Sequence, residues 1–316
     1  MDFKEFKNKY QKASIKEYPH VVSADPVVSI CVQTYQHKDF IEQCLENILS
    51  QKTTFEFEIL LSEDDSQDGT RQICIEYAEK YPEKIRLFLH DRLNQIRIQD
   101  ESTGNFPSFY NLYSARGKYI AVCEGDDFWG DPWKLQKQID FLEKNPAYSF
   151  VFHRYQLIDE NGSPIDEISH QPEEDICEED LVKIEYHPLF LTVCFRNNFQ
   201  EYPLQITKVI NIDSFLLSLL GQQGKAKFQS GISPSFHRIH RGGIWGKRKK
   251  DKKFISKTIL YSNLEEYYKR NQEKSLSLYF KYQKTNMKKS LLFYYLKNGK
   301  LWPFLKKRTL LILSNK

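Results

Sequence analysis

The chain has 316 residues, of which 40% are hydrophobic and 28% are charged, a composition typical of a folded globular protein. No run of residues approaches the roughly 20 apolar residues that cross a bilayer, so the sequence predicts no membrane-spanning helix. The net charge of +4 is unevenly distributed along the chain. Residues 247–316 carry a net charge of +16, and residues 1–246 carry a net charge of −12. Six cysteines without a CxxC pair, and an N-terminus without an apolar segment, predict reduced thiols in a cytoplasmic protein.

Predicted strands and helices alternate along the first half of the chain. Apolar β-branched runs predict the strands, and apolar residues at helical spacing predict the helices between them. Strands are predicted at 27–32, 57–61, 85–89 and 118–123, and helices at 38–51, 70–81, 109–115 and 132–144. This alternation predicts an α/β fold, with a Rossmann-like, mainly parallel sheet flanked by helices.

The regular alternation weakens after residue 148. Further elements are predicted as strands at 148–158, 190–195 and 235–239, an acidic loop at 166–182 and an apolar helix at 212–220. Beyond residue 246, aromatic and basic residues alternate in helical patterns. We therefore predict three regions: a polar leader over 1–25, a catalytic domain over 26–246 and a basic, mainly helical appendage over 247–316.

Acidic residues follow two of the predicted strands, at the edge where ligands bind in parallel sheets. Glu124-Gly125-Asp126-Asp127 places three carboxylates in four residues, and these would repel one another unless a cation lies among them. Carboxylate oxygens suit Mg²⁺ or Mn²⁺, and such an ion could bind diphosphate oxygens and stabilise a departing nucleotide. The alternative is an acidic turn before a helix, where aspartate is favoured anyway.

The segment that follows the second strand is also acidic. Glu63 and Asp64 are predicted to accept hydrogen bonds from a nucleobase and its ribose. Thr34 and Tyr35, one strand over, are predicted to supply a hydroxyl and a flat ring for the base. Asp68 is more simply explained as a helix cap. Because the sequence has no GxGxxG or GxxxxGK loop, a diphosphate would be held by metal and side chains, unlike in dinucleotide-binding folds or NTPases.

Four segments of the chain together resemble the family-2 glycosyltransferases. These segments are Val28–Tyr35, Glu63–Thr70, Ala115–Ile120 and Glu124–Trp129. The resemblance is strong over residues 26–145, weaker to residue 245 and absent beyond. It implies the GT-A fold and inverting, hexosyltransferase-like transfer of a sugar from a nucleotide diphosphate donor to a hydroxyl acceptor. It further implies a UDP- or dTDP-linked donor and a role in bacterial cell-surface polysaccharide synthesis.

The same resemblance assigns roles to the two acidic clusters. The first cluster binds the nucleoside in that family, which makes Asp64 the expected base contact. The second cluster is the family's metal-binding Asp-x-Asp motif, in which Glu124 stands where the first Asp is usual. Asp126 is therefore expected to bind both the metal and the nucleotide, with Glu124 as a further metal ligand. Asp127 and Trp129, beside the motif, are expected close to the donor and the acceptor.

Inverting transfer needs a general base, because an acceptor hydroxyl is a poor nucleophile at neutral pH. The resemblance implies a carboxylate at the head of a helix beyond the metal motif, and Asp213 is the candidate, with Asp180 as the alternative. Asp213 could also be a helix cap. Residues 236–245 resemble the segment that closes the active site in related bacterial enzymes. There His240 is expected to complete the metal shell, to contact the diphosphate or to be purely structural, and Arg238 is expected to pair with phosphate.

Two other functions and one question about the tail stay open. A nucleotidyltransferase that makes nucleotide sugars would need a glycine-rich loop, and residues 28–37 contain no glycine. A non-catalytic protein that binds nucleic acid through its basic tail is disfavoured, because the acidic front would repel a polyanion. The tail carries twelve aromatic residues and predicts either packing on the catalytic domain or binding to an anionic membrane. In the second case the enzyme would lie at the inner face of the cell membrane and reach a saccharide or lipid-linked saccharide acceptor.

Overall fold

The computed structural model describes residues 1–165, 171–240, 242–243 and 248–299. The chain divides into two compact units. The first unit comprises Met1–Thr207 and Ile212–Gly243, and the second comprises Lys208–Asn211 and Ile244–Lys316. Residues 1–25, which the sequence predicts as a separate leader, therefore belong to the first unit.

The first unit is built on one large sheet with two small ribbons beside it. Its strands in the described residues are β1 Lys16–Glu17, β2 Val28–Thr34, β3 Phe57–Glu63, β4 Ile85–Leu89, β5 Arg97–Ile98, β6 Glu101–Ser102, β7 Tyr119–Glu124, β8 Tyr148–Phe152, β9 Tyr155–Ile158, β10 Cys194–Arg196, β11 Lys225–Phe228 and β12 Ser235–Arg238. Eight of them form the sheet, in the order β1-β4-β3-β2-β7-β10-β8-β11. The neighbours β4, β3, β2 and β7 are parallel, as the alternation predicts, whereas β1 and β10 are antiparallel.

Helices cover the sheet. In the first unit they are α1 Phe3–Tyr10, α2 Ile41–Leu49, α3 Thr70–Lys80, α4 Asn105–Ser114, α5 Lys134–Lys144, α6 Glu178–Lys183 and α7 Ile212–Gly221. The core lies between the sheet and its helices, and every residue of β3 is buried because this strand has neighbours on both sides and packing on both faces. The predicted α/β class with a mainly parallel sheet is confirmed.

Three segments differ from the prediction. The leader folds back because Phe6 is fully buried against Phe106 and Phe109, and because β1 pairs with β4. The single strand predicted over 148–158 is two strands, interrupted where His153 turns its ring inward to bond with other segments. The segment predicted as a strand over 190–195 starts as a 3-10 helix, and the strand begins only at β10.

The register of the sheet brings the predicted acidic segments together. Thr34 pairs with Glu63 across β2 and β3, and Gln33 pairs with Glu124 across β2 and β7. The carboxyl ends of three neighbouring strands therefore meet at one edge. A backbone pair between Phe128 and Phe236 brings the start of β12 to the same place.

The second unit is a helical hairpin. Helix α8 spans Lys250–Arg270 and helix α9 spans Lys274–Lys297. The helices are antiparallel, since Tyr295 near the end of α9 donates a hydrogen bond to Asp251 near the start of α8 (2.8 Å). Within the described residues, none of the helices has the length and apolar character needed to cross a bilayer. The predicted tail residues Trp302, Phe304 and Leu310–Leu313 lie outside the described residues.

Candidate active site

Asp126 is the centre of a cluster of side chains that could hold a metal ion. Its Oδ2 atom lies 2.9 Å from Nε2 of His240 and 3.7 Å from Nε2 of His37, while its buried Oδ1 atom has no hydrogen-bond partner among the described residues. Each of the three side chains offers a ligand atom, and these atoms all lie within 4.8 Å of one another. Two imidazoles and a carboxylate with an unpaired buried oxygen fit a divalent cation.

A second set of possible ligands shares Asp126. Glu124, Asp126 and Asp127 also place a carboxylate oxygen each within 4.8 Å of the others. Burial among protein atoms, together with the charges of Asp126 and Asp127, raises the pKa of Glu124 to about 8, although part of its side chain stays exposed. Burial and Asp126 also raise the pKa of Asp127. A cation among the carboxylates would reverse these shifts, because its charge favours the ionised forms.

The turn of the metal motif packs tightly on the end of β2. A Cβ atom at Gly125 would lie 2.6 Å from Thr34 Oγ1 and 3.1 Å from His37 Nδ1, so a side chain at this position does not fit. Thr34 Oγ1 lies 3.3 Å from Nδ1 of His37, which leaves Nε2 directed at Asp126. The structure thus places Thr34, a predicted nucleotide contact, against an imidazole that the sequence analysis did not single out. The only signal for His37 is its position just beyond the end of β2.

Asp127 is a buried carboxylate that holds the start of the segment predicted to close the active site, which begins at residue 236. It is buried and accepts hydrogen bonds from the backbone N–H of Arg238 (2.8 Å) and from Nδ1 of His237 (3.1 Å). Burial alone would lower the pKa of His237, but the carboxylates Asp127 and Glu124 outweigh it and raise this pKa to about 9. Asp127 thus holds β12 against the metal motif, and its expected proximity to substrate stays a prediction.

Arg238 does not have the free guanidinium that phosphate binding would require. Its nitrogens donate to the carbonyl oxygen of Asp126 (3.0 Å), to Gln43 Oε1 (2.6 Å) and to the carbonyl oxygen of Asp159 (3.2 Å). The guanidinium also stacks 4.7 Å from the ring centroid of Phe40. The expectation that Arg238 pairs with phosphate is therefore corrected: this side chain ties three segments together beneath the metal motif.

Trp129 lies in the core. Its side chain is 1% exposed and its indole N–H donates to the carbonyl oxygen of Leu191 (3.0 Å). The ammonium of the buried Lys134 lies 4.1 Å from its ring centroid. The expected place beside donor or acceptor is corrected, because the buried side chain leaves almost no surface for a ligand to contact.

Asp64, Arg92 and Tyr35 form a separate corner of the site. The Arg92 guanidinium donates to Asp64 Oδ2 (2.9 Å) and lies 3.8 Å from the ring centroid of Tyr35, which is 39% exposed. Burial raises the pKa of Asp64 to about 7, although the neighbouring Arg92 charge opposes this shift. Arg92 was not identified from the sequence; its signal is that it follows β4, the next strand of the same edge.

Glu63 is a structural residue. It is fully buried and accepts hydrogen bonds from the backbone N–H of Ser66 (2.7 Å) and from the Arg71 guanidinium. Both carboxylate oxygens are therefore used within the protein. The predicted contact between Glu63 and a nucleotide is corrected for this reason.

Asp213 lies in the first turn of α7, with its side chain one-third exposed. Its Oδ1 accepts the backbone N–H of Ser214 (2.8 Å), and its Oδ2 lies 3.4 Å from Nε2 of His187. The His187 ring is held in turn by Ser214 Oγ at 2.8 Å. Asp213 thus has the partial exposure that a proton acceptor needs, with an imidazole beside its carboxylate. Asp180, the alternative base, lies in the first turn of α6.

Comparison with known sequences finds a match to the model of one protein family. Residues 29–97 match the model of glycosyl transferase family 2. An uncharacterised protein of Mycobacterium tuberculosis is 37% identical over 136 residues, which is 43% of this chain and 37% of that protein. TuaG of Bacillus subtilis, by its name a teichuronic acid biosynthesis glycosyltransferase, is 32% identical over 149 residues, 47% of this chain and 54% of TuaG. The chain therefore spans between about a third and just over half of the length of these relatives.

Comparison with solved structures gives the fold. Residues 1–349 of S. aureus TarS in complex with UDP align with a TM-score of 0.52 and 14% identity, covering 75% of this chain and 65% of that one. The mannosyltransferase PcManGT from Pyrobaculum calidifontis, in complex with GDP-Man and Mn²⁺, aligns with a TM-score of 0.51 and 14% identity, covering 96% and 89%. The predicted GT-A fold is confirmed by these alignments.

Proposed function

We propose that this chain, which matches glycosyl transferase family 2 over residues 29–97 and has the GT-A fold, transfers a sugar with inversion from a nucleotide diphosphate donor to a hydroxyl acceptor. The observation that carries this proposal is the convergence of Asp126, His240 and His37 at the edge of the sheet. This edge is the place where parallel sheets bind ligands. Within the part of the chain that the structure describes, Oδ1 of Asp126 has no hydrogen-bond partner, which leaves it available to a cation.

We propose Asp126, His240 and His37 as the residues that hold Mn²⁺ or Mg²⁺, with Glu124 as a further oxygen ligand. Imidazole nitrogen suits Mn²⁺ better than Mg²⁺, which prefers oxygen ligands and water. When bound, the ion would neutralise the diphosphate and stabilise the charge on the departing nucleotide. Thr34 and Gly125 support this set indirectly, since one orients His37 and the other lets the motif turn approach it.

We propose the corner formed by Asp64, Arg92 and Tyr35 as the nucleoside site. The exposed ring of Tyr35 offers a flat face to a base, and the Arg92 guanidinium stacks on that ring. Ionised Asp64 can accept hydrogen bonds from a base N–H. UDP- or dTDP-linked sugars fit this site, because both bases carry an imide N–H donor. Two TarS structures contain UDP or UDP-GlcNAc, which supports a uridine donor.

We propose Asp213 as the general base. Its carboxylate would take the proton of the acceptor hydroxyl while the hydroxyl oxygen forms a bond to the anomeric carbon of the donor sugar. The bond from that carbon to the diphosphate oxygen breaks on the opposite face, so the nucleotide diphosphate leaves and the configuration inverts. His187, 3.4 Å away, orients the carboxylate.

The acceptor is proposed to be a saccharide or a lipid-linked saccharide, in the assembly of a cell-surface polysaccharide. The name of TuaG, a relative by sequence, supports this class of product. We propose a cytoplasmic protein that works at the inner face of the cell membrane, where a lipid-linked acceptor would be presented.

Release of nucleotide from a panel of UDP-, dTDP- and GDP-sugars tests the proposal. Purified full-length protein should release nucleotide from at least one donor with Mn²⁺, and should release none in excess chelator. An Asp126→Asn variant that keeps its unfolding curve should be inactive with the same donor. Pyrophosphate formation from a nucleoside triphosphate and a sugar phosphate would instead identify a nucleotidyltransferase and contradict the proposal.

A further inference from the structure

Helix α9 carries a stripe of exposed apolar side chains. Leu278, Tyr282, Phe293 and Leu296 are 64%, 64%, 69% and 49% exposed. The first two are four residues apart and the last two are three apart, so each pair shares a helix face. The two pairs start 15 residues apart, and at 3.6 residues per turn this separation keeps all four on one side of the helix. Four of the ten large hydrophobic side chains exposed in the described residues therefore lie along a single stripe.

The opposite side of α9 accounts for the packing of the hairpin. Phe280, Leu291 and Tyr295 are buried, and Phe280 stacks on Tyr268 of α8 with their ring centroids 5.6 Å apart. The helix is thus apolar on two sides, of which one contacts α8. Packing within the hairpin explains the buried side, whereas the stripe stays exposed among the described residues.

The charges around the stripe indicate which kind of surface it can contact. Helix α9 contains six lysines and no acidic residue, and the exposed lysines Lys274, Lys281, Lys289 and Lys297 lie on or beside the stripe. Residues 300–316 are also basic and contain no acidic residue. If the stripe bound residues 300–316, or the same face of a second copy of the chain, positive charges would therefore lie against one another. A surface that combines negative charge with an apolar layer beneath it satisfies lysines and apolar side chains at once.

We propose that this face of α9 docks on an anionic membrane surface. The four apolar side chains would enter the boundary between headgroups and acyl chains, while the lysines contact lipid phosphates. The inference deepens the proposed function, because it names the surface at which a lipid-linked acceptor would be met. It rests on α9 alone, so a failure of the catalytic proposal would leave it standing.

Co-sedimentation of the full-length protein with lipid vesicles tests the inference. We expect binding to vesicles of phosphatidylcholine with 30% phosphatidylglycerol at low salt, and at least tenfold weaker partitioning to pure phosphatidylcholine vesicles or in 0.5 M salt. Leu278→Ser/Phe293→Ser should lower partitioning to the anionic vesicles at least tenfold. Val21→Ser, which removes a 74% exposed side chain from the first unit, is the matched control and should bind as the wild type does.

Three results would overturn the inference. One is wild-type protein that stays in the supernatant with anionic vesicles at low salt. Another is equal binding by the wild type and the double variant, which would show that general basic charge suffices without the stripe. The third is a dimer in sedimentation velocity without lipid that the double variant abolishes, because the face would then be an interface between copies. Nucleotide release by the double variant, measured with a soluble donor, reports separately on the catalytic proposal.

Discussion

Replacing Asp64 by Asn should make the protein more stable at alkaline pH while weakening its binding of nucleotide. Asp64 is buried, and its pKa is raised to about 7 from an ordinary value of 3.8. Between these two pH values the folded protein binds a proton at this site that the unfolded chain has already released. Stability therefore falls as pH rises from about 4 to about 7 and stays low above that range.

The size of the effect follows from the shift. Each pKa unit corresponds to about 1.4 kcal/mol, so ionised Asp64 costs up to roughly 4 kcal/mol above pH 7. Between pH 5 and pH 8 the wild type should lose roughly 3 kcal/mol at this site. The Asn variant has no proton to release and should not show this loss. Arg92 would lose its partner, but this side chain is 31% exposed and water can solvate it.

Urea unfolding of both proteins at pH 5 and pH 8, in the presence of chelator, measures the difference. The stability of Asp64→Asn relative to wild type should rise by roughly 3 kcal/mol between the two pH values, and UDP affinity at pH 8 should fall. Asp68→Asn is a control without pH dependence in this window, because hydrogen bonds from Thr70 and Lys38 outweigh burial and lower the pKa of Asp68, which is therefore ionised in the folded and the unfolded chain at both pH 5 and pH 8. A stability difference between Asp64→Asn and wild type that does not change with pH would refute the reasoning.

Two further predictions concern the chemistry. Asp126→Ala should abolish Mn²⁺ binding, measured by electron paramagnetic resonance, and turnover with it, while the circular dichroism spectrum stays that of the wild type; full activity in excess chelator would contradict the metal assignment. Asp213→Asn should lower the transfer rate at least about a hundredfold with donor affinity little changed, as expected for a lost general base. A near-wild-type rate in that variant would move the role to Asp180.

The sheet and the place of the site could be predicted because both follow from local patterns. Apolar β-branched runs predict β2, β3, β4 and β7, and acidic residues at the ends of β3 and β7 indicate the edge at which a ligand is expected to bind. The parallel register then brings Thr34, Glu63 and Glu124 to that edge. Apolar patterns with a period of two or 3.6 residues therefore predict the strands and helices, and with them the positions at which the strands end.

The roles of individual side chains depended on distant residues and could not be predicted. Glu63 carries the same charge as Asp64, and only the contact with Arg71 shows that its oxygens are used internally. Trp129 follows the metal motif directly, but its burial depends on Leu191, which is 62 residues further on. His37 stands alone in the sequence, and its ligand geometry appears only once Asp126 and the closing segment meet.

Replacement of Arg238 tests whether this side chain stabilises the folded protein or binds the substrate. The sequence predicts that Arg238 pairs with phosphate, whereas its guanidinium, at the end of β12, is bonded inside the protein. Arg238→Lys keeps the charge but cannot reach Gln43 and the carbonyl oxygen of Asp126 together. With hydrogen bonds from charged groups worth about 1.5–3 kcal/mol each, we expect a loss of roughly 2–4 kcal/mol in the free energy of unfolding by urea. A phosphate ligand would behave differently, since the variant would then unfold as the wild type does and only its donor KM would rise.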